Sequence, residues 1–167
     1  MGGSSGLEAR MKRLEDIEAI KNLKYKYFRT LDSKQWDELA ECFIEDAATG
    51  YSDGKLQFHG VEEIMDFLKS SMRESFFGIH HGHHPEIELT TDTTAKGTWA
   101  FHSYMLDTQE KLGLRMGAFY RDKYVKVDGE WKIEYTGYET VFREVWNRED
   151  IKSLALKGAM QFKSAGK

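Results

Sequence analysis

The sequence of 167 residues has one cysteine, one proline and no apolar run near the roughly 18 residues that a membrane span requires. Because Cys42 is the only cysteine, an intrachain disulfide and a cysteine-based zinc site are excluded. The 24 Lys and Arg against 28 Asp and Glu lack the basic excess of a nucleic-acid-binding protein. The start also lacks the layout of a signal peptide. We therefore expect a cytoplasmic protein that binds neither nucleic acid nor membrane.

The sequence does contain enough apolar material for one packed domain. Apolar residues make up 40% of the chain and aromatic residues 13%, which argues against disorder. Residues 1–10, which begin MGGSSG, are predicted to be a tag-like or disordered leader. Residues 11–146 are predicted to form a single domain. Residues 147–167 lose the periodic pattern and are predicted to be a C-terminal tail, or a short helix that binds a partner.

Three helices are predicted in the first half of the chain. Apolar residues at steps of three and four indicate helices near 14–31, 36–43 and 61–72. Within the first helix, Tyr27 faces inward. Asp32 and Ser33 are candidate caps for the second helix, and Asp53-Gly54 has the turn chemistry of a tight hairpin.

The second half is predicted to consist of strands, after a loop near 76–78. The extended segments are Pro85–Thr90, Lys96–Leu106, Leu114–Val127 and Trp131–Val145, with Asp128-Gly129 between the last two. Long segments joined by short connections favour a strongly curved antiparallel sheet whose concave side is covered by the helices. The predicted fold class is α+β.

A histidine-rich run is the most unusual feature, because four of the six histidines occur within five positions. An unbroken period of two that includes Ile87 makes His83 the inward histidine. Gly82 and Pro85 are typical of bulges, however, and a bulge would turn His80 inward instead. Parity therefore leaves His80 and His83 as alternatives. No third ligand occurs at a diagnostic spacing, so a structural or acid–base role is favoured over a metal site.

Several other side chains could carry chemistry. On spacing alone, Asp32 is favoured as a helix cap over a catalytic group. Tyr27 precedes it by little more than one turn, and an inward phenol needs a polar partner. The strands add many rings, of which about half must face inward, and Trp99, Phe101 and Tyr138 are candidates for a binding surface.

These residues occur in a recognisable pattern. The segments Ile17–Ile20, Tyr27–Arg29, Leu31-Asp32 and Trp36–Leu39 resemble the opening of SnoaL-like proteins of the nuclear-transport-factor-like superfamily. The segments Tyr51–Leu56, Leu68–Met72, His80-x-Gly82, Gly117–Tyr120 and Asp128-Gly129-x-Trp131 are especially similar to the bile acid 7α-dehydratases of this group. Scytalone dehydratases are more distant relatives. The resemblance covers residues 14–145.

The resemblance implies a fold, a site and an assembly. It implies a cone-shaped, cystatin-like barrel in which the curved sheet wraps around the N-terminal helices and leaves a deep pocket. It also implies that Asp32 orients His80, that His80 abstracts a carbon-bound proton, and that Tyr27 is the dehydratase tyrosine. No cofactor and no metal are implied. A homotrimer or homodimer is expected by analogy.

The resemblance also indicates substrate contacts. Tyr51 falls near a pocket tyrosine of the scytalone dehydratases. Two positions depart from the bile acid enzymes, since Ser103 replaces an Asp and Thr140 replaces an Arg, although Arg143 lies nearby. Both departures concern substrate contacts more than proton transfer.

The expected function is a carbon–oxygen lyase. We expect a cofactor-independent dehydratase that removes water from a small hydrophobic, hydroxylated substrate of the polycyclic, steroid or bile-acid type. Two alternatives stay open at this point. One is a steroid isomerase or polyketide cyclase-type reaction in the same pocket, and the other is a module that binds a small molecule without catalysis.

Overall fold

The computed structural model describes residues 3–161. The helices are α1 (Gly3–Asp32), α2 (Trp36–Ala40), α3 (Tyr51–Gly54) and α4 (Val61–Ser71), with a 3-10 helix at Arg148–Asp150. The strands are β1 (Phe43–Gly50), β2 (Leu56–His59), β3 (Phe76–Leu89), β4 (Thr94–Asp107), β5 (Leu112–Val127) and β6 (Glu130–Asn147). None of the helices in this part of the chain combines the length and the apolar character needed to cross a membrane.

The six strands form one sheet in the order β2-β1-β6-β5-β4-β3. Neighbouring strands are antiparallel, except that β1 runs parallel to β6. This parallel pair differs from the predicted antiparallel sheet, and it is possible because the chain passes through four other strands between β1 and β6. The strands β2 and β3 remain as edges, so the sheet is curved but not closed. The predicted α+β fold with a sheet around N-terminal helices is confirmed.

Helix α1 supplies one side of the core. Ile20, Tyr27, Phe28 and Leu31 are buried at helical spacing against the concave face of the sheet. The predicted inward setting of Tyr27 is therefore confirmed. On the sheet, fully buried Trp99 donates a hydrogen bond from Nε1 to the Tyr124 hydroxyl at 3.0 Å.

The structure describes parts of both chain ends for which the sequence predicted a leader and a tail. Residues 3–10, predicted as a tag-like or disordered leader, belong to α1, and the side chains of residues 6–15 are exposed. Good helix formers at 7–14 explain why α1 extends beyond the core. Strand β6 ends at Asn147, and the described tail continues as the short 3-10 helix and then irregular backbone. Residues 1–2 and 162–167 of the predicted leader and tail lie outside the described residues.

Three local predictions need correction. Helix α2 has Gln35 at its N-cap position and no side-chain cap, so neither Asp32 nor Ser33 caps it. The hairpin between β1 and β2 is present, but its connection is the short helix α3 rather than a two-residue turn. The predicted loop at 76–78 is the beginning of β3. The histidine run therefore lies inside a strand.

Candidate active site

A cavity of about 290 Å³ opens between the helices and the concave face of the sheet. Its wall combines apolar side chains with phenols, one imidazole and one guanidinium. The lining residues are Tyr27, Leu31, Tyr51, Ser52, Leu56, Phe67, Leu68, Ser71, Met72, Phe76, His80, Phe101, Met105, Leu114, Met116, Tyr120, Tyr138 and Arg143. Such a wall can bury an apolar ligand and orient it with a few polar groups.

Asp32 and His80 form a pair at the edge of this cavity. Asp32 is the last residue of α1, and its carboxylate oxygen Oδ2 accepts a hydrogen bond from the His80 backbone N–H at 2.8 Å. The other oxygen, Oδ1, contacts Nδ1 of the His80 ring in a short hydrogen bond. A carboxylate at Nδ1 holds the proton on that nitrogen, so Nε2 of the neutral ring is a proton acceptor. Asp32 thus orients a histidine and does not cap a helix.

A bulge in β3 decides which histidine faces inward. The pairing of β3 with β4 shifts between His83 and Glu86, and His84 has a positive φ of 48°. The extra residue reverses the facing of everything before it. His80 therefore lines the cavity, while His83 is exposed on the outer face of the sheet.

Aromatic rings fix the orientation of the His80 imidazole. The ring lies nearly parallel to Phe101 at a centroid distance of 5.5 Å, and to Phe28 at 6.2 Å. The exposed fraction of the His80 side chain is 9%. Because both the rings and the carboxylate restrain the imidazole, it is held in one position relative to the cavity.

Phenols form another part of the polar wall. The hydroxyl oxygens of Tyr27 and Tyr51 are 3.2 Å apart and share a hydrogen bond. Burial raises the pKa of both phenols well above the usual value, so both are neutral at pH 7 and can donate hydrogen bonds. The Tyr138 hydroxyl lies 3.4 Å from the Ser52 hydroxyl. These groups can bind a ligand oxygen.

The structure brings most of the sequence-predicted site residues together. Tyr27, Tyr51, His80, Phe101 and Tyr138 line the cavity, with Asp32 directly behind His80.

The other three candidates do not line the cavity. Trp99 is buried behind the cavity wall, where its Nε1 donates a hydrogen bond to the Tyr124 hydroxyl. Ser103 is fully buried on the inner face of β4, and its hydroxyl has no hydrogen-bond partner among the described residues. Thr140 donates its backbone N–H to Asp53 at 2.6 Å.

Arg143 lines the cavity because of a second bulge, which lies in β6. The pairing of β5 with β6 shifts so that Ala118 pairs with Thr140 and Gly117 with Phe142, which leaves Val141 as the extra residue. The inward parity of β6 changes at this point, and Arg143 then faces the cavity. From the sequence, Arg143 was predicted only to lie near Thr140.

Helix α4 contributes cavity residues that the sequence reading did not single out. Phe67, Leu68 and Met72 lie at or near the inward face of α4 and line the cavity. Their amphipathic spacing was the available signal, but it indicated only a core helix. Among the described residues, no three His, Cys, Asp or Glu side chains are grouped so that they could hold a metal ion.

Comparison with known proteins gives both a family and a fold. The SnoaL-like domain family matches residues 12–136 of this chain. A putative scytalone dehydratase from Novosphingobium aromaticivorans has a TM-score of 0.75 at 24% identity, over 81% of this chain and 90% of that chain. The hexachlorocyclohexane dehydrochlorinase LinA-type3 from Novosphingobium barchaimii has a TM-score of 0.74 at 20% identity, over 82% and 94%. At these identities, the likeness to the solved structures shows a shared fold.

Proposed function

The chain belongs to the SnoaL-like domain family, and from the site that it builds we propose that it is a cofactor-independent dehydratase, a carbon–oxygen lyase. Its proposed substrate is a small, hydroxylated polycyclic molecule of the steroid or bile-acid type. One observation carries the proposal. A histidine held by a carboxylate faces an apolar cavity that also presents neutral phenols.

The proposed reaction needs only these groups. His80 takes a proton from carbon at Nε2, the electrons of the C–H bond form the double bond, and the adjacent C–O bond breaks. Tyr27 donates a hydrogen bond to the departing oxygen. The proton held by the imidazolium then passes to that oxygen, so that water leaves and His80 is neutral again.

The neighbouring residues support each step. The Asp32 carboxylate stabilises the imidazolium that forms when His80 accepts the proton. Tyr51 fixes the Tyr27 hydroxyl through the hydrogen bond between them. The apolar wall excludes water, which strengthens the polar contacts inside the cavity.

The aromatic rings of the cavity wall support a polycyclic substrate. The rings of Phe101 and Tyr138 are stacked at a centroid distance of 6.1 Å, and Tyr51 lies 5.8 Å from Tyr138. We propose Tyr51, Phe101 and Tyr138 as the rings that contact substrate. Trp99, Ser103 and Thr140 are not proposed as substrate contacts because none of them lines the cavity.

The test uses a panel of hydroxylated polycyclic compounds, including hydroxysteroids and bile acids, with mass spectrometry of the products. We expect a product lighter than its substrate by one water. The His80→Ala variant should lose about 10²- to 10⁴-fold in rate, as expected for removal of a general base. His83→Ala is the matched control and should keep the wild-type rate, because His83 faces away from the cavity. Equal rates for His80→Ala and the wild type would contradict the proposal.

The same experiment separates the alternative reactions. An isomerase would use the same imidazole and phenol but give a product of unchanged mass. A module that only binds its ligand would give no product with any member of the panel. The contact between Asp32 and His80 favours catalysis, because a binding site has no need of an oriented base.

A further inference from the structure

A buried ion pair that the proposed reaction does not use lies beneath the phenols of the cavity. Lys24 of α1 and Asp122 of β5 are both fully buried, and Lys24 Nζ is 2.8 Å from Asp122 Oδ2. Lysine and aspartate are almost never fully buried unless they are paired. The pair is 98 positions apart in sequence, so only the fold brings it together.

All the polar groups of this pair have partners. Lys24 Nζ donates to Asp122 and to the Thr136 hydroxyl at 3.2 Å. Asp122 also accepts hydrogen bonds from Thr136 at 2.7 Å and from the Tyr124 hydroxyl at 2.6 Å. Burial lowers the pKa of Lys24 below its usual value, while the charge of Asp122 and the hydrogen bond to it act to raise that pKa. The hydrogen bonds fix both groups in place, in surroundings where a charge acts more strongly than in water.

The ammonium is in direct contact with rings of the cavity wall. Lys24 Nζ lies 3.7 Å from the centroid of Tyr120 and 4.6 Å from that of Tyr27. Both tyrosines line the cavity. The Asp122 carboxylate is bonded instead to Thr136 and Tyr124, which are not cavity residues. The positive member of the pair is thus the one that contacts the phenols.

Stability alone is a weak reason for this arrangement. Replacing a buried ion pair by apolar residues of similar volume is often neutral or stabilising. Burial raises the pKa of the Tyr27 and Tyr120 phenols, and the negative charge of Asp122 raises it further. The Asp122 carboxylate thus opposes negative charge at the phenols, and Lys24 is the group of opposite charge that pairs with it.

We propose that Lys24 is a positioning residue which, through the rings of Tyr27 and Tyr120, determines how strongly the cavity stabilises negative charge on an oxygen atom of a bound ligand. Asp122 and Thr136 hold the ammonium against the two rings. The catalytic use of this effect rests on the proposed function, because there Tyr27 donates to an oxygen that gains negative charge. The binding effect itself requires no turnover.

The probe for this effect is 4-nitrophenol, whose colour reports whether it is ionised. The apparent pKa of the bound probe is measured by absorbance, with saturating wild-type protein and with the double variant Lys24→Met/Asp122→Asn. The variant keeps similar side-chain volumes but removes both charges. We expect the apparent pKa of the bound probe to rise by about one unit, which is a tenfold weaker binding of the phenolate. Binding of the neutral phenol should not change.

The matched control removes a second ion pair, which is partly buried and lies away from the cavity. Lys126 pairs with Asp16, which lies eight positions before Lys24 on α1. Neither residue lines the cavity. The double variant Lys126→Met/Asp16→Asn should leave the apparent pKa of the bound probe unchanged. A purely structural role for Lys24 predicts no difference between the two variants. Equal shifts in both, no shift in either, or a wild-type protein that binds no probe would overturn the proposal.

A measurement on the wild-type protein covers the case in which the Lys24 variant does not fold. In protein labelled with ¹⁵N-lysine, the Nζ signal of Lys24 should move when 4-nitrophenolate binds and should move less with uncharged nitrobenzene. The Lys126 signal should not respond. An unresponsive Lys24 signal contradicts the proposal. Neither experiment measures the elimination of water. A failure of this proposal can therefore be distinguished from a failure of the proposed dehydratase reaction.

Discussion

Asp32 binds two atoms of His80 at once, and this double contact carries the proposed chemistry. Its two carboxylate oxygens bond separately to the His80 backbone N–H and to ring atom Nδ1. The position at the end of α1 suggested a helix cap on local spacing, since Asp is a favoured capping residue. The decisive partner is 48 positions away, and no local pattern contains it. Only the resemblance to a family indicated the pair from sequence.

At the scale of single residues, we predict the effect of Asp32→Asn. An amide oxygen can still accept the hydrogen bond from the His80 backbone, so the fold should be retained. The neutral amide cannot stabilise an imidazolium, and it also permits the wrong tautomer of His80. We expect a loss of about 10³- to 10⁴-fold in kcat, the size seen when a histidine loses its orienting carboxylate. The measurement is kcat on the substrate found in the mass-spectrometric panel.

The control for this variant is Asp37→Asn on α2, which lies outside the cavity lining. It should keep the wild-type kcat. A wild-type kcat in Asp32→Asn, with an unchanged free energy of unfolding, would show that His80 does not depend on the carboxylate.

At the scale of elements, two bulges place the site. One in β3 turns His80 inward, and one at Val141 in β6 turns Arg143 inward. The last three strands follow from apolar periodicity and turn residues, so they could be predicted, whereas only the end of β3 was predicted as a strand. A bulge changes parity by one residue without a unique sequence signal. This is why the choice between His80 and His83, and the inward setting of Arg143, could not be derived from alternation.

Gly82 was a candidate bulge residue from the sequence, but in the structure it makes room for a side chain of α1. It pairs regularly with Phe101 on β4, so it does not form the bulge. A Cβ atom at this position would lie 2.5 Å from Cε2 of Phe28. Phe28 in turn stacks on His80. The glycine is therefore required by the close approach of α1 to β3, beside the base.

We predict that Gly82→Ala lowers the free energy of unfolding by about 1–3 kcal/mol, the usual cost of inserting a carbon into a packed core. The displaced Phe28 ring should also lower the activity. The measurement is urea unfolding together with kcat. The matched control is Gly6→Ala in the exposed first part of α1, where a Cβ atom meets nothing within 4 Å. That change should be neutral or raise stability by up to about 1 kcal/mol, because alanine favours a helix. Equal stability of Gly82→Ala and the wild type would contradict this account.

At the scale of the whole molecule, the helices cover the inner face of the sheet and leave apolar residues on the outer face. Ile79, Phe119, Val141 and Phe142 are exposed there. Phe142 lies over Gly117, two positions before Phe119 on β5, so these two side chains occupy neighbouring positions on that face. Exposed apolar patches are typical of interfaces. The family resemblance predicts a homotrimer or homodimer, and this outer face is where we expect the subunits to meet.

The oligomer prediction is tested by sedimentation of the wild-type protein and of Phe142→Asp. We expect the wild type to sediment as a dimer or trimer and the variant to shift toward the monomer, because a charge would be buried in the interface. Leu7→Asp, at the exposed start of α1, is the control and should not change the mass. A monomeric wild-type protein would contradict the expectation.

The attachment of α1 to the sheet should make the whole fold sensitive to acid. Asp16 of α1 accepts a hydrogen bond from Trp131 Nε1 at 2.9 Å and pairs with Lys126. Burial raises the pKa of Asp16, but the hydrogen bonds from Lys126 and Trp131 outweigh burial and lower it below the usual 3.8. Since the folded pKa is below the unfolded value, the ionised carboxylate stabilises the fold above that value. This stabilisation is lost as the pH falls through the folded pKa.

We therefore predict that Asp16→Asn lowers the free energy of unfolding at about pH 6, and that the difference from the wild type narrows below about pH 4. Urea unfolding at a series of pH values measures this. Trp131→Phe removes one of the two hydrogen bonds, so it should reduce the pH dependence without abolishing it. If the difference between Asp16→Asn and the wild type were constant across the series, Asp16 would contribute only through packing and the bonds of its neutral form. If the difference in the free energy of unfolding disappears at low pH, the ionised carboxylate is what attaches α1 to the end of the sheet.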